Sequence, residues 1–307
     1  GSIRRMKETV RDIDILVISK THEKVMDFFT SLDDVKRVLA KGDTKSSVVL
    51  KEGLNCDVRV LDKKSYGAGL MYFTGSKDHN VALRGMAIKK GLKLSEYGLF
   101  TVKGNRFVAG RTEEEVYHKL GLELVEPEMR ENQGEIDEAM KKKLPKLIPY
   151  GSIKGDLHVH TVWTDGHYST EDMVKAAIKM GYEYVAITDH SKSEYVARGL
   201  DEKKLLQHLK EIENVAKKYE NRIAVLMGSE VDILSDGSLD YRDEILKKLD
   251  VVVASVHSRF KMAKDEMTKR IVKAVSSGNV TILGHPSGRL INERNPYEFD
   301  LDEVLQA

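Results

Sequence analysis

The chain has 307 residues, 41% of them hydrophobic and 32% charged, with 50 Lys+Arg set against 49 Asp+Glu. That length suits about two domains with separate cores, and the balanced charge excludes a disordered polyelectrolyte, while no apolar run approaches the roughly 18 residues needed to span a bilayer. Cys56 is the sole cysteine, so no internal disulfide can form; with no apolar leader among residues 1–11, the cytoplasm is the expected compartment.

The first 125 residues carry an excess of lysine and arginine, and the remainder carry an excess of acids. Gly1-Ser2-Ile3-Arg4-Arg5 reads as a turn opening a helix. A strand is predicted over Ile13–Ile18, a helix over Glu23–Phe29, a hairpin from Ser47–Leu50 and Cys56–Val60, and a helical element near Asn80–Lys90. This is mixed α+β grammar. Asp12 and Asp14 fall two apart and share a strand face, and Asp57 sits in the second hairpin strand. If the hairpin lies beside the first strand, three carboxylates meet, and like charges 4 Å apart repel by about 4 kcal/mol at an effective dielectric of 20. Divalent cations relieve such repulsion. A Gly-Ser turn at a helix start offers backbone donors to a phosphate, with Arg4 or Arg5 to neutralise it. Together these parts describe nucleotidyl transfer with two metals.

Glu126–Pro149, with Pro127, Pro145, Pro149 and the Lys141–Lys143 run, reads as a linker holding one helical segment. Beyond it, strands ending near Leu157 and over Tyr184–Ile187, Ile223–Leu226, Val251–Ala254 and Val280–Leu283 alternate with helices over Thr170–Met180, Asp201–Tyr219, Tyr241–Leu249 and Lys264–Ser276. Parallel βα units follow from that alternation. Each strand finishes in metal-ligand residue types: His158 and His160, then Asp165, Asp189-His190, Glu230, His257 and His285. Strand C-termini open on one face of a parallel sheet, so these groups are expected to converge into a multinuclear hydrolytic centre. His22, His79, His118 and His208 lie outside that set and are read as structural.

The motifs Gly155-Asp156-Leu157-His158-Val159-His160, Thr164-Asp165-Gly166, Thr188-Asp189-His190 and Gly284-His285-Pro286 resemble the polymerase-and-histidinol-phosphatase (PHP) domain, a distorted βα barrel that hydrolyses phosphoesters. The resemblance implies one metal on His158, His160 and Glu230, a second on Glu230, His257 and His285, and a third on Asp165 and His190, with Mn²⁺ or Zn²⁺ and up to three ions in a complete domain. PHP domains finish with a late Asp-x-His segment; no histidine follows His285, and five βα units leave an open edge, so the barrel is expected to be incomplete. The first and third metals would then lack a ligand.

The first half resembles the palm and thumb of family X DNA polymerases through Gly1–Val17, Tyr72-Phe73-Thr74-Gly75-Ser76, Asn80, Arg84 and Ser95–Phe100. Bacterial and archaeal members carry a PHP domain directly after that core. By this resemblance Asp12, Asp14 and Asp57 hold two Mg²⁺ or Mn²⁺ ions and Gly1, Ser2 and Arg5 meet the triphosphate. Tyr72, Phe73 and Gly75 line the sugar pocket, and Asn80 and Arg84 touch nucleotide and template. The lyase-like and helix-hairpin-helix regions that precede the palm in the family are not seen before Gly1, so the chain reads as truncated at both ends. The expected fold is α/β: palm and thumb over 1–125, a linker over 126–152, and an incomplete TIM-like PHP barrel over 153–307. The implied activity is DNA polymerisation with 3′-5′ exonuclease or phosphoesterase action in DNA repair. Expected partners are primer-template or gapped DNA and dNTP, with no membrane, on a monomer. Alternatives are a histidinol-phosphatase-like enzyme, a small-molecule nucleotidyltransferase and an inactive DNA-binding fragment.

Overall fold

The computed structural model describes residues 1–307, which divide into two compact units, Gly1–Leu147 and Ile148–Ala307. The first unit opens with β1 (Asp12–Val17), α1 (His22–Thr30), β2 (Val35–Lys41), β3 (Lys45–Leu50) and β4 (Asn55–Val60), in the sheet order β1-β4-β3-β2. Alternation in β4 explains its placement. Cys56, Val58 and Val60 are buried against Met26 and Phe29 of α1, which turns Asp57 and Arg59 to the opposite face. The expected hairpin of β3 and β4 lies beside β1, which runs parallel to β4 with Asp14 in register with Asp57. Sequence reasoning did not find β2, whose residues are mostly exposed; a polar edge strand is made by pairing rather than by its own pattern.

There follow α2 (Tyr66–Thr74), α3 (Lys77–Lys89), the small antiparallel sheet β5 (Leu92–Ser95), β6 (Gly98–Thr101) and β7 (Phe107–Ala109), then α4 (Glu113–Leu120) and α5 (Glu135–Lys141). Met71, Leu83, Leu99, Val116, Tyr117 and Leu120 form their shared core. At Gly67 in α2, a Cβ would stand 2.2 to 2.5 Å from the backbone of Thr112, which caps α4. Gly67→Ala should therefore destabilise the protein by about 1–3 kcal/mol through overpacking. Gly85 in α3 has nothing within 4 Å of the same position, so Gly85→Ala should stabilise by about 0.5–1 kcal/mol from helix propensity. Urea unfolding of the two variants checks the opposite signs.

Two expectations are corrected here. Residues 2–6 form turns rather than a helix, closed by bonds from Met6 N to the Ile3 carbonyl and from Lys7 N to the Ser2 carbonyl, with Met6 at φ 55° in the left-handed region, where a right-handed helix cannot propagate. Residues 126–147 are not a linker. Ile136 and Ala139 of α5 join the core with Leu120 and Val125, and Arg130 is wholly buried. Among the charges that read as linker signals, Glu131 pairs with Arg5, Glu135 with His79 and Arg130 with Glu113, while Lys141–Lys143, Pro145 and Pro149 stay exposed.

In the second unit β8 (Gly155–Val159), α6 (Thr170–Lys179), β9 (Tyr184–Ile187), α7 (Glu202–Tyr219), β10 (Ala224–Asp232), α8 (Asp243–Leu246), β11 (Val251–Ser255), α9 (Lys264–Val275), β12 (Ile282–Leu283) and α10 (Leu301–Gln306) follow in order. All five strands are parallel, in the order β12-β11-β10-β9-β8, with β8 and β12 as edges of an open sheet. Asp201 caps α7 by accepting from Lys204 N at 2.8 Å, and Leu205, Leu209, Ile212 and Val215 bury one stripe of that helix at three- and four-residue spacing. β11 is buried throughout, as a central parallel strand must be. The helix expected over Tyr241–Leu249 shrinks to the four residues of α8, and the last strand to the two of β12.

Candidate functional site

The parallel sheet brings seven predicted residues from five strand ends to one place. Glu230 on β10, 1% exposed, is its centre. Its Oε2 lies 3.1 Å from His158 Nε2, 3.4 Å from His160 Nε2 and 3.1 Å from His190 Nδ1, while Oε1 lies 3.3 Å from His257 Nε2 and 2.7 Å from His285 Nε2. Asp165 closes one side, 3.7 Å from His160 Nδ1 and 3.6 Å from His190 Nε2. His158, His160 and Glu230 present ligand atoms within 4.8 Å of one another, as do His160, Asp165 and His190, and also His190, Glu230 and His257. His160 thus joins the Asp165–His190 pair, and His190 serves two groups.

Burial works against the Glu230 charge, yet the imidazoles of His158, His257 and His285 hold its carboxyl far below the usual carboxylate range. Burial pushes His160 and His190 down, toward the neutral form that ligates metals. His158 Nε2, His160 Nδ1 and His190 Nδ1 are buried with no well-directed hydrogen bond. Leaving such a polar atom unsatisfied costs about 1–3 kcal/mol, and a cation amid carboxylates and imidazoles would satisfy all three; the donor set fits Zn²⁺ or Mn²⁺.

Two residues missed in the sequence complete the surroundings. His257 Nδ1 lies 2.5 Å from Asp232 Oδ1 and 3.8 Å from Glu194 Oε2. Burial opposes a charge on His257, but Asp232 and Glu230 prevail and raise it to about 10. The Asp232 contact fixes which ring nitrogen faces Glu230. Asp232 follows Glu230 by two on one strand, so period-two alternation was the available signal. Below the cluster, Asp189 accepts from Thr161 N at 2.9 Å, from the Thr161 hydroxyl at 2.8 Å and from Thr164, and pairs with His208 Nε2 at 2.8 Å. His208 is buried and structural, as read from its position outside the strand-end set.

In the first unit Gly1, Asp12, Asp14 and Phe73 line one cavity of about 270 Å³ with Ile3, Arg4, Tyr66 and Thr74. Asp57 stands beside Asp14 through the strand register. Burial raises the Asp14 carboxyl, and the charges of Asp12 and Asp57 add to the shift. Burial also opposes ionisation of Asp57, but Lys45 Nζ at 2.9 Å and the Ser47 hydroxyl hold it low. A carboxylate whose neighbours are carboxylates suits a hard divalent cation, so the donor set fits Mg²⁺ or Mn²⁺.

The remaining predicted residues, Ser2, Arg5, Tyr72, Gly75, Asn80 and Arg84, do not line this cavity. Arg5 Nε binds Glu131 Oε1 at 2.8 Å and its Nη1 donates to the Thr74 carbonyl, beside Gly75 at φ 73°. Ser2 is half-buried. Tyr72 packs edge-on against Phe73 with ring centres 5.2 Å apart, and Arg59 covers the Phe73 ring at 4.8 Å. Asn80 Nδ2 donates to the Tyr72 carbonyl at 2.7 Å, leaving its buried Oδ1 without a partner. Arg84 is half-buried one turn further along α3.

Comparison with known proteins agrees with both halves. The family model described as DNA polymerase beta thumb matches residues 69–131, and the PHP domain model matches residues 156–298. The chain is 41% identical over 308 residues to the DNA polymerase/3′-5′ exonuclease PolX of Bacillus subtilis, covering 100% of this chain and 54% of that protein. A protein of Thermoanaerobacter sp. strain X514 named "Probable phosphatase" is 32% identical over 157 residues, covering 50% of this chain and 59% of its own length. The chain therefore spans a little over half the length of the curated relatives it matches. Leishmania infantum polymerase beta in a ternary primer/template complex aligns with 26% identity and a TM-score of 0.38, over 43% of this chain and 65% of its own. With a thumb match in one unit, a PHP match across the other and one relative aligned through both, the chain is similar along its whole length to PolX, a DNA polymerase/3′-5′ exonuclease.

Proposed function

We propose that the first unit is a nucleotidyl-transfer centre acting on primer-template or gapped DNA with dNTP, and that the second hydrolyses phosphodiesters at DNA 3′ ends, both serving DNA repair in the cytoplasm. The observation that carries this reading is the gathering of seven side chains from five strand ends around Glu230 in the second unit, together with a separate carboxylate group on β1 and β4 in the first. The boundaries that fit are a palm-and-thumb unit through Leu147 and a PHP unit from Ile148.

In the first unit Asp12, Asp14 and Asp57 would hold Mg²⁺ or Mn²⁺; in the second His158, His160, Asp165, His190, Glu230, His257 and His285 would hold Mn²⁺ or Zn²⁺. Bound divalent cations supply Lewis acidity and an activated nucleophile to either reaction. The protein's own part in the first is to orient. Phe73, fixed between Tyr72 and Arg59, presents a flat apolar wall for the sugar of the nucleotide. Asn80 and Arg84 face the base and template. Gly1, Ser2 and Arg5 belong to the turn that would receive the triphosphate, and the bonds of Arg5 to Glu131 and Thr74 hold that turn rigid. In the second unit the chain supplies a rigid set of imidazoles, with Asp232 steering His257 and Asp165 closing the rim.

Reciprocal substitution tests the reading. Asp57→Ala should lower templated primer extension at least about 100-fold and leave phosphodiester hydrolysis within about twofold; His257→Ala should do the reverse. A single substitution that removed both activities would mean one shared centre. The phosphatase name of the relatives matching the second unit favours one other reading, hydrolysis of a small phosphomonoester. Faster turnover of histidinol phosphate than of a DNA 3′ end would select it.

A further inference from the structure

The second unit also holds a cavity of about 410 Å³, lined by Val162, Trp163, Arg198, Leu200, Lys204 and Gln207. Its walls are tied to the ligand residues at several points. Arg198 donates to the carbonyl of Thr164, which precedes Asp165 in the chain. Leu200 N donates to the His190 carbonyl and Ser191 N to the Glu230 carbonyl, each at 2.8 Å, so both ends of the 191–200 loop rest on the backbone of cluster residues.

The lining chemistry is distinctive. It contains an indole, two aliphatic side chains, two cations and an amide, with no carboxylate. Lys204 and Gln207 lie three apart on α7 and so share a helix face. Trp163 cannot turn freely: its Nε1 donates to Glu211 Oε2 at 3.1 Å, and its ring lies 4.7 Å from that of His208. Glu211 is held in turn by the Thr170 hydroxyl at 2.6 Å. A pre-oriented aromatic surface beside cations is how proteins take up an unpaired base with its phosphate. The volume falls within the range of small-ligand sites.

We infer that this cavity is the subsite for the nucleotide next to the scissile bond of a single-stranded DNA 3′ end, with the base against the Trp163 indole and its phosphate between Arg198 and Lys204. The inference rests on the phosphodiesterase reading of the second unit and adds to it a subsite with named residues. A base inside a duplex already has both faces stacked and its edge paired, so an unpaired end can enter the cavity and meet the indole without breaking a base pair.

Trp163 is the only tryptophan in the chain, which makes its emission a reporter of this cavity alone. Titration of the full chain with an eight-residue oligothymidylate in EDTA, where no hydrolysis occurs, should quench that emission saturably. Lys204→Glu and Arg198→Gln should each weaken the apparent affinity at least about tenfold, and added salt should weaken it further. In the Mn²⁺-loaded protein, Trp163→Leu should raise the KM for the same oligonucleotide about tenfold, while kcat and the hydrolysis of bis(p-nitrophenyl) phosphate, which carries no neighbouring nucleotide, stay within about twofold. Unchanged emission at saturating oligonucleotide, or quenching undiminished in Lys204→Glu, overturns the subsite. If the loaded wild type fails to cleave bis(p-nitrophenyl) phosphate, the phosphodiesterase reading falls, and the emission titration still decides the subsite.

Discussion

Glu230→Gln should strip divalent metal from the second unit, lowering Mn or Zn content after dialysis on the order of 100-fold or more in affinity, and should abolish phosphodiester hydrolysis while leaving primer extension within about twofold. The reason is geometric. Both oxygens are in use, Oε2 toward His158, His160 and His190 and Oε1 toward His257 and His285. Glutamine keeps the shape but supplies one acceptor instead of two, and its NH₂ would face imidazole nitrogens that need an acceptor or a cation. It also removes the one fully buried negative charge that five rings surround. His285 is the useful contrast: it is 45% exposed and touches only Oε1 of the carboxylate, so His285→Ala should cost less than Glu230→Gln. Metal content measured by mass spectrometry of the dialysed proteins checks both. Equal metal retention in Glu230→Gln and wild type would remove Glu230 from the centre.

Much of this centre was legible before any coordinates. A parallel sheet places every strand C-terminus on one face, so ligand types at five strand ends were enough to predict convergence, and His158, His160, Asp165, His190, Glu230, His257 and His285 do converge. What the pattern did not carry was partition. His190 sits between two groups because its two ring nitrogens face Asp165 and Glu230, and no spacing rule encodes which nitrogen points where. Asp232 was hidden by its neighbour, since a second acid two residues from a ligand reads as solvated unless a histidine from the next strand is known to meet it. In the first unit Asp14 and Asp57 were paired by inference from a hairpin, and the pairing follows from the β1–β4 register. The turn at Gly1–Arg5 and the fold of residues 126–147 were misread for one reason. Local signals, a glycine before arginines and prolines among glutamates, report only what the chain does unaided, whereas here distant ion pairs decide.

Those ion pairs set the last prediction. Glu113→Ala should destabilise the first unit by about 3–5 kcal/mol, the cost of leaving a buried charge uncompensated. Arg130, wholly buried, donates from Nη1 to Glu113 Oε1 at 2.6 Å and from Nε to the Val125 carbonyl at 2.8 Å, under the ring of Tyr117. Arg4 closes on the same carboxylate, with Nη1 2.8 Å from Oε1 and Nη2 2.7 Å from Oε2, and also reaches the Thr74 hydroxyl at 2.8 Å. Glu113 therefore pins residues 126–131 and the Gly1–Arg5 turn to α4. Burial opposes its ionisation, but Arg4 and Arg130 hold its carboxyl below the usual value of 4.5. A carboxyl depressed in the folded state contributes stability that is present above its unfolded pKa and lost as pH falls through the folded one. The gap between wild type and Glu113→Ala should accordingly be full at pH 7 and shrink below about pH 4.5. Far-UV circular dichroism in urea follows both units, whereas Trp163 emission follows the second alone, so the shift should appear in the first signal. Glu114→Ala, one residue along and exposed, is the control. Arg4 lines the cavity shared with Asp12, Asp14 and Phe73, so primer extension should fall with the same substitution at denaturant concentrations where the variant is still folded; a Glu113→Ala shift no larger than that of Glu114→Ala would leave the buried pair without its stabilising role.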